Sequence, residues 1–274
     1  MIRFIGKSKP GSAPFLIYCA FTSPHDPRTP PADFRVRYRD QDLILPENFL
    51  ARHPFDNGEL EVRDEKLAPL PRAPDMTRRH RGDYYGMIDH HLGRMLTALE
   101  RTGQEEDTIV VYVSDHGLAL GSNGLMGKQN LYEHSLRVPL IMKGPGVPVG
   151  QVMRHDVYAH RLFATLCELA GVPVPMSVEA SSLMPLLKGG EAAAADRPLH
   201  FAHYLDRQRM VKDARWKLIV YQVNGNVREQ LFDLRNDPHE LRDLAAEPAM
   251  QTHRIRPATA LRNGPPGSTS WSSS

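Results

Sequence analysis

The sequence contains little cysteine, no long apolar run and almost no excess of either charge. Its 274 residues include two cysteines, Cys19 and Cys167, a count that excludes a framework of several disulfides. Each cysteine lies in an apolar run, so buried free thiols are expected. No apolar stretch is long enough to span a bilayer, and residues 1–7 lack the apolar core of a signal peptide. We therefore expect no membrane span, and the compartment stays open.

The charge is nearly balanced, with 34 lysines and arginines against 32 aspartates and glutamates. The two signs are interleaved, whereas a nucleic-acid-binding protein normally concentrates its basic residues on one face. The sequence therefore predicts no nucleic-acid partner. Histidine, by contrast, occurs 13 times, and histidine is suited both to acid–base chemistry and to metal ligation near neutral pH.

The larger, N-terminal part of the chain alternates between continuous apolar runs and one-sided helical patterns. Residues 15–21, 108–113 and 138–142 are predominantly apolar, which is typical of strands buried on both faces of a parallel sheet. Residues 83–101 and 157–170 carry apolar residues at helical spacing. This order predicts an α/β fold with a mostly parallel sheet flanked by helices.

Shorter elements are predicted toward the C-terminus. Residues 208–212, 216–223 and 229–234 are short strand patterns separated by turn residues. Asn224-Gly225 lies between two of these runs and is a strong hairpin signal. A small antiparallel sheet is therefore predicted.

The change in pattern suggests three parts of the chain. We expect a larger α/β domain at 1–190 and a small antiparallel subdomain at 191–250, with a short helix after Pro238. The remainder, 251–274, is rich in Arg, Pro, Gly and Ser and is predicted to be disordered.

Two short polar segments follow predicted strands, at the sheet edge where open parallel sheets bind their ligands. One contains His25, and the other contains Asp115 and His116. A carboxylate oxygen beside an imidazole suits a divalent cation, and oxygen ligands favour Ca²⁺ or Mg²⁺. Taken alone, the same pair is equally explained by an aspartate that caps a loop beside a hydrogen-bonded histidine.

An ordered series of motifs surrounds the second predicted polar segment. It comprises Asp115-His116-Gly117, Gly127-Lys128, Tyr132-Glu133 and Arg137-Val138-Pro139-Leu140-Ile141, with agreeing segments at 21–27, 84–94, 167–171, 182–187 and 216–219 with 231–234. In this order the sequence resembles the sulfatase family, whose fold is shared with alkaline phosphatase. The whole set, which extends over about residues 1–250, is far more specific than any single motif.

The resemblance implies a metal-dependent sulfuric ester hydrolase acting on a small-molecule or carbohydrate sulfate ester. Asp115 and His116 match two metal ligands, and the implied ion is Ca²⁺, which polarises a sulfate oxygen as a Lewis acid. Lys128 matches the lysine that contacts the sulfate. His25 matches the histidine beside the sulfate and the leaving-group oxygen. The alternatives are a solvated surface lysine and a loop histidine without a task.

The nucleophile of the family is a cysteine converted to formylglycine. Neither Cys19 nor Cys167 has the signature around it, and further metal ligands of the family are also not matched. We therefore expect an inactive fragment, with the missing N-terminal half of the family's domain as its partner. Two other interpretations stay open, namely a phosphodiester or phosphonate monoester hydrolase of the same superfamily and a non-catalytic remnant.

Two further expectations concern the surroundings of the site. Residues 28–80 and 204–212 flank the predicted strand ends and should shape the pocket. Glu133 and Arg137 lie four residues apart and are expected to pair near the loop.

Overall fold

The computed structural model describes residues 1–8, 11, 13–189, 199–250 and 253. In these residues the α-helices are α1 (Ile2–Ile5), α2 (Ala32–Arg35), α3 (Pro74–Arg101), α4 (Glu133–Leu136), α5 (Leu162–Leu169) and α6 (Met184–Leu187). The strands are β1 (Val110–Val113), β2 (Leu140–Lys143), β3 (His200–Tyr204), β4 (Gln208–Lys212), β5 (Trp216–Val223) and β6 (Asn226–Asp233). Short 3-10 helices occupy Asp40–Asp42, Arg63–Leu67, Ala159–Arg161 and Pro248–Met250. No helix in these ranges combines the length and apolar character needed to cross a membrane.

The longest element, α3, confirms the predicted helix and begins nine residues earlier than the apolar pattern indicated. Pro74 occupies a first-turn position, where its fixed φ suits a helix start. Close packing against the preceding loop explains two glycines in this helix. A Cβ at Gly82 would lie 2.6 Å from the carbonyl oxygen of Tyr38, and one at Gly86 would lie 3.1 Å from Cβ of Pro30.

The apolar run at 15–21 is not a strand, so this prediction was wrong. A strand requires a ladder partner, and no described segment pairs with this one. Leu16 and Tyr18 are consequently 85% and 90% exposed. Cys19 is also exposed, contrary to the expectation of a buried thiol.

Strands β1 and β2 form a two-stranded sheet that is antiparallel, with Val111 opposite Met142. The predicted parallel pairing is therefore not found among the described strands. The outer position Ile141 is 61% exposed, although a run of this composition is typical of a strand covered on both faces.

The C-terminal sheet has the order β3-β4-β5-β6, and each neighbouring pair is antiparallel. This confirms the predicted small antiparallel sheet and adds β3, which the sequence pattern did not indicate. Asn224 and Gly225 join β5 to β6 with φ of 52° and 76°, as a type I′ hairpin turn requires.

The helix predicted after Pro238 is not formed. The carboxylate of Asp237 accepts the backbone N–H groups of Leu241 and Arg242, and Glu240 has a φ of 55°, which a right-handed helix does not accommodate. The tail predicted to be disordered lies outside the described residues except for residue 253.

The largest apolar cluster joins the loop after β1 to the C-terminal sheet. Aromatic and aliphatic side chains from both parts are almost fully buried in it, so the sheet supplies the core for that loop. The buried members are Ala119, Leu125, Leu131 and Tyr132 from the loop, with Met210, Ile219, Tyr221 and Phe232 from the sheet. Tyr132 and Tyr221 both donate hydrogen bonds to Oε1 of Gln230, at 2.6 and 2.9 Å.

Candidate active site

Asp115 and His116 follow the end of β1 after Ser114 and face solvent, with side chains 88% and 39% exposed. Nδ1 of His116 lies 2.9 Å from the carbonyl oxygen of Gly117. Since a carbonyl only accepts, Nδ1 carries the proton in the neutral ring and Nε2 keeps its lone pair. This Nε2 lies 3.7 Å from Oδ2 of Asp115, so the two side chains can offer one oxygen and one nitrogen to a single cation. Histidines that bind a metal commonly donate a hydrogen bond to a carbonyl from the N–H of their other ring nitrogen.

The glycine that follows this pair has no room for a side chain. A Cβ at Gly117 would lie 1.9 Å from the carbonyl oxygen of His134, and the backbone N–H of Gly117 donates to the carbonyl oxygen of Ser135 at 2.8 Å. Backbone therefore contacts backbone where the candidate metal ligands leave the strand.

Replacing Gly117 by alanine is expected to lower the free energy of unfolding by about 1–3 kcal/mol, because neither backbone can yield. Gly93→Ala is the matched control: Gly93 lies in α3, and no described atom outside the local helix backbone is within 4 Å of its Cβ position. There the change should raise stability by about 0.4–1 kcal/mol. Urea unfolding of both variants checks the prediction, and equal effects of the two changes would contradict it.

His25 lies in the segment between the apolar run at 15–21 and the long loop at 28–80. Its Nδ1 is 3.2 Å from both the carbonyl oxygen and Oδ1 of Asp26, which leaves Nε2 available to a ligand. Asp26 is also paired with Arg63. The ligating atoms of His25, Asp26 and Asp64 all lie within 4.8 Å of one another.

Lys128 lies in the loop after β1, and its backbone N–H donates to Oε1 of Gln129 at 3.0 Å. Within the described ranges no carboxylate forms an ion pair with its ammonium group. Nε2 of Gln129 donates to Oδ2 of Asp64 at 3.1 Å. Asp64 and Gln129 therefore connect Lys128 to His25.

The four predicted residues thus fall into two pairs: Asp115 and His116 are adjacent, and Lys128 is linked to His25 through its backbone N–H, Gln129 and Asp64. In the part of the chain that the structure describes, no hydrogen bond or ion pair joins one pair to the other. Burial raises the pKa of Tyr84, and the charges of Tyr112, Arg28 and Asp115 also act on it.

Arg28 is a cation at this site that the sequence did not indicate. Its Nε donates to the carbonyl oxygen of Pro24 at 2.9 Å, and NH1 lies 3.4 Å from Nδ1 of His80. Burial lowers the pKa of Arg28, while the nearby charges of Asp64 and other groups oppose that shift. Arg28 and Asp64 both belong to the loop at 28–80, and the expectation that this loop shapes a pocket stays a prediction.

Glu133 does not pair with Arg137, so that prediction was wrong. The carboxylate of Glu133 instead turns toward the C-terminal sheet, where it lies 3.1 Å from Nζ of Lys212 and 2.9 Å from Nζ of Lys217. Burial acts to raise the pKa of Glu133, but the charges of Lys217 and Lys212 outweigh it and lower the pKa to about 2. Arg137 remains exposed.

Comparison with protein-family models gives two matches. The model described as Sulfatase matches residues 1–172. A second, described as N-sulphoglucosamine sulphohydrolase, C-terminal, matches residues 121–262. The two matches overlap in the loop that carries Lys128.

Relatives and solved structures agree with these matches. An arylsulfatase of Clostridium perfringens is 31% identical over 254 residues, covering 89% of this chain and 51% of that protein. A choline-sulfatase of Rhizobium meliloti is 30% identical, covering 86% and 47%. The crystal structure of a phosphonate monoester hydrolase of Agrobacterium radiobacter superposes with a TM-score of 0.75 at 24% identity, covering 95% and 57%. The chain thus spans about half the length of these curated relatives, and the α/β fold expected from the resemblance is confirmed.

Proposed function

This chain belongs to the sulfatase family, and from that membership we propose that it forms the sulfate-contacting side of a sulfuric ester hydrolase. The observation that carries the proposal is the connection between Lys128 and His25 through Gln129 and Asp64. It supports a site where an ammonium group and an imidazole nitrogen act on one tetrahedral anion. The substrate is a small-molecule or carbohydrate sulfate ester.

Lys128 and His25 have separate tasks in this proposal. The ammonium of Lys128 attracts a sulfate oxygen and stabilises the negative charge that develops there. Nε2 of His25, when protonated, donates to the oxygen of the departing alcohol. Asp26 orients the His25 ring by accepting from Nδ1.

Asp115 and His116 would hold a divalent cation, with Ca²⁺ proposed and Mg²⁺ as the alternative. The open carboxylate and the free lone pair of Nε2 fit such an ion. Calcium takes six to eight ligands, so two donors form part of a shell, and the nitrogen donor is softer than calcium prefers. When bound, the ion would supply Lewis-acid polarisation of a sulfate oxygen.

The covalent step needs a nucleophile that neither Cys19 nor Cys167 supplies. In the family this group is formylglycine, and we propose that it belongs to the half of the relatives' length that this chain does not span. The exposed apolar segment at 15–21 supports a surface that receives that half. By itself, the chain is then expected to bind the anion without hydrolysing an ester.

Titration of the purified chain with inorganic sulfate tests the proposal. Lys128→Ala should weaken sulfate binding by about tenfold, the equivalent of about 1.4 kcal/mol. Lys66→Ala, which removes an exposed lysine, should leave it unchanged. The chain should not turn over an aryl sulfate. Equal binding by all three proteins, or turnover at an ordinary enzymatic rate, would contradict the proposal.

A phosphonate monoester is the second candidate substrate, because an ammonium and an imidazole select a tetrahedral oxyanion without distinguishing sulfur from phosphorus. The same titration with phenylphosphonate separates the two. Tighter binding of phenylphosphonate than of sulfate, lost in Lys128→Ala, would favour the phosphonate candidate.

A further inference from the structure

The loop that carries Lys128 is held by two adjacent carboxylates in the 3-10 helix Arg63–Leu67. Oε1 of Glu65 accepts the backbone N–H of Gly127 at 2.7 Å and that of Met126 at 3.0 Å. The two amides directly precede Lys128. Glu65 is itself buried, so these bonds are shielded from competing water.

Glu65 is fixed in turn by Arg72. NH2 of Arg72 donates to Oε2 of Glu65 at 2.6 Å, and NH1 donates to the backbone carbonyl oxygen of Glu65 at 2.8 Å. The two side chains are 2% and 5% exposed. A buried carboxylate with a cation and two amide donors has its charge compensated and little freedom to move.

Asp64 holds the loop through Gln129, the residue that follows Lys128. Its Oδ2 accepts from Nε2 of Gln129, and Oε1 of the same amide accepts the backbone N–H of Lys128. A carboxylate oxygen of Asp64 also lies within 4.8 Å of a ring nitrogen of His25. One side chain thereby sets the position of Lys128 relative to His25.

The loop and the 3-10 helix Arg63–Leu67 are in close contact at Gly127. A Cβ at Gly127 would lie 2.6 Å from Oε1 of Gln129, 3.0 Å from Cβ of Asp64 and 3.1 Å from Oε1 of Glu65. The loop therefore touches both carboxylate residues along its backbone.

We infer that Asp64 and Glu65 are positioning residues, which hold Lys128 at a fixed distance from His25 so that both reach one anion. This inference rests on the proposed function. Neither carboxylate contacts the anion itself, and their negative charge repels it. Their contribution is geometric, because a displacement of about 1 Å in such a site is enough to weaken binding strongly.

The direction in which sulfate affinity changes in Asp64→Ala distinguishes a positioning role from a purely electrostatic one. Removing a negative charge close to an anion site strengthens anion binding by Coulomb attraction alone. Asp64→Ala removes the charge and also the bond to Gln129, so positioning predicts sulfate binding weakened by about tenfold, or about 1.4 kcal/mol. Asp64→Asn removes the charge but keeps an oxygen that accepts from Gln129, so it should bind at least as well as the wild type. Glu61→Ala removes an exposed carboxylate of the same segment and is the matched control.

Amide hydrogen exchange gives a second measurement that needs no ligand. Exchange should accelerate at least tenfold at the amides of Met126 and Gly127 in Glu65→Ala, and at the amide of Lys128 in Asp64→Ala. It should stay unchanged in Asp64→Asn and Glu61→Ala. If Glu65→Ala does not fold, the Asp64 variants still decide the outcome.

The inference is overturned if Asp64→Ala binds sulfate as tightly as the wild type or more tightly, or if Asp64→Asn is as weak as Asp64→Ala. Failure of the wild type to bind sulfate would refute the proposed function instead. The exchange rates would then decide separately whether the two carboxylates fix the loop, and unchanged rates in Asp64→Ala would overturn the inference.

Discussion

Replacing Lys217 by methionine is expected to lower the free energy of unfolding by about 3–5 kcal/mol. The Lys217 side chain is fully buried, and its Nζ lies 2.9 Å from Glu133 and 2.8 Å from Glu240. Without the ammonium, two carboxylates remain together in an interior where water cannot solvate them. The loss is a large share of the roughly 5–15 kcal/mol that stabilises a typical domain.

Urea unfolding at neutral pH measures this effect. Lys143→Ala is the matched control, since Lys143 pairs with Glu105 at the surface and its side chain is 58% exposed. Such an exposed pair contributes little to stability. A Lys217→Met variant whose stability stays within 1 kcal/mol of the wild type would show that the buried pair does not stabilise the contact between loop and sheet.

Acid is expected to destabilise the protein from about pH 6.5 downward, chiefly because of His134. Burial lowers the pKa of His134 to about 3 and that of His53 to about 4. Both rings are neutral in the folded state but protonate near pH 6.5 when unfolded, so their contribution is fully present above pH 6.5 and is lost toward pH 3–4. For His134 alone, the loss over that range is on the order of 4 kcal/mol.

The variant His134→Phe isolates the contribution of His134 to the pH dependence of the unfolding free energy. The ring of His134 stacks on Tyr132 at 5.5 Å, and neither of its nitrogens has a hydrogen-bond partner among the residues that the structure describes, so phenylalanine keeps the stacking without a group to protonate. Unfolding free energies between pH 7 and pH 4 should fall much less steeply in this variant. His239→Phe, at an exposed histidine, should keep the wild-type slope. Identical slopes for all three proteins would refute the assignment to His134.

Below pH 4.5 the acid loss should steepen further because of Glu133. Its pKa is lowered to about 2 by Lys217 and Lys212 against the effect of burial. A carboxylate with a lowered pKa stabilises the fold above its unfolded pKa, near 4.5, and loses that contribution as the pH falls toward 2. The sign is the same as for His134, so both groups destabilise the fold as the pH falls.

Local patterns predicted the local elements of this fold. The hairpin at Asn224-Gly225 depends on four consecutive residues and was found where the sequence placed it. The run at 15–21 has the composition of a buried strand, yet a strand also depends on a partner, and none of the described residues supplies one. Composition thus indicated that the segment is suited to a buried strand, whereas the presence or absence of a pairing partner could be seen only in the structure.

The same limit applies to the site. Asp115, His116, Lys128 and His25 were found from short ordered motifs, and their roles stay predictions. Asp64 and Glu65 were missed because their contacts, to Gln129 and to Met126 and Gly127, join segments about sixty residues apart and follow no period. Glu133 was assigned to Arg137 because four-residue spacing is visible in a sequence. Its actual partner is Lys217, and a pairing across 84 residues cannot be recognised in the sequence.

The shared core of the Lys128 loop and the C-terminal sheet limits where this gene could be divided. Because Leu125 and Tyr132 are buried against Met210 and Phe232, a polypeptide ending between residues 189 and 199 would leave the loop's apolar side chains in water. Recombination at that point would pair the loop with a foreign sheet whose surface does not match. The two parts are therefore expected to be inherited as one unit, with changes in either compensated in the other.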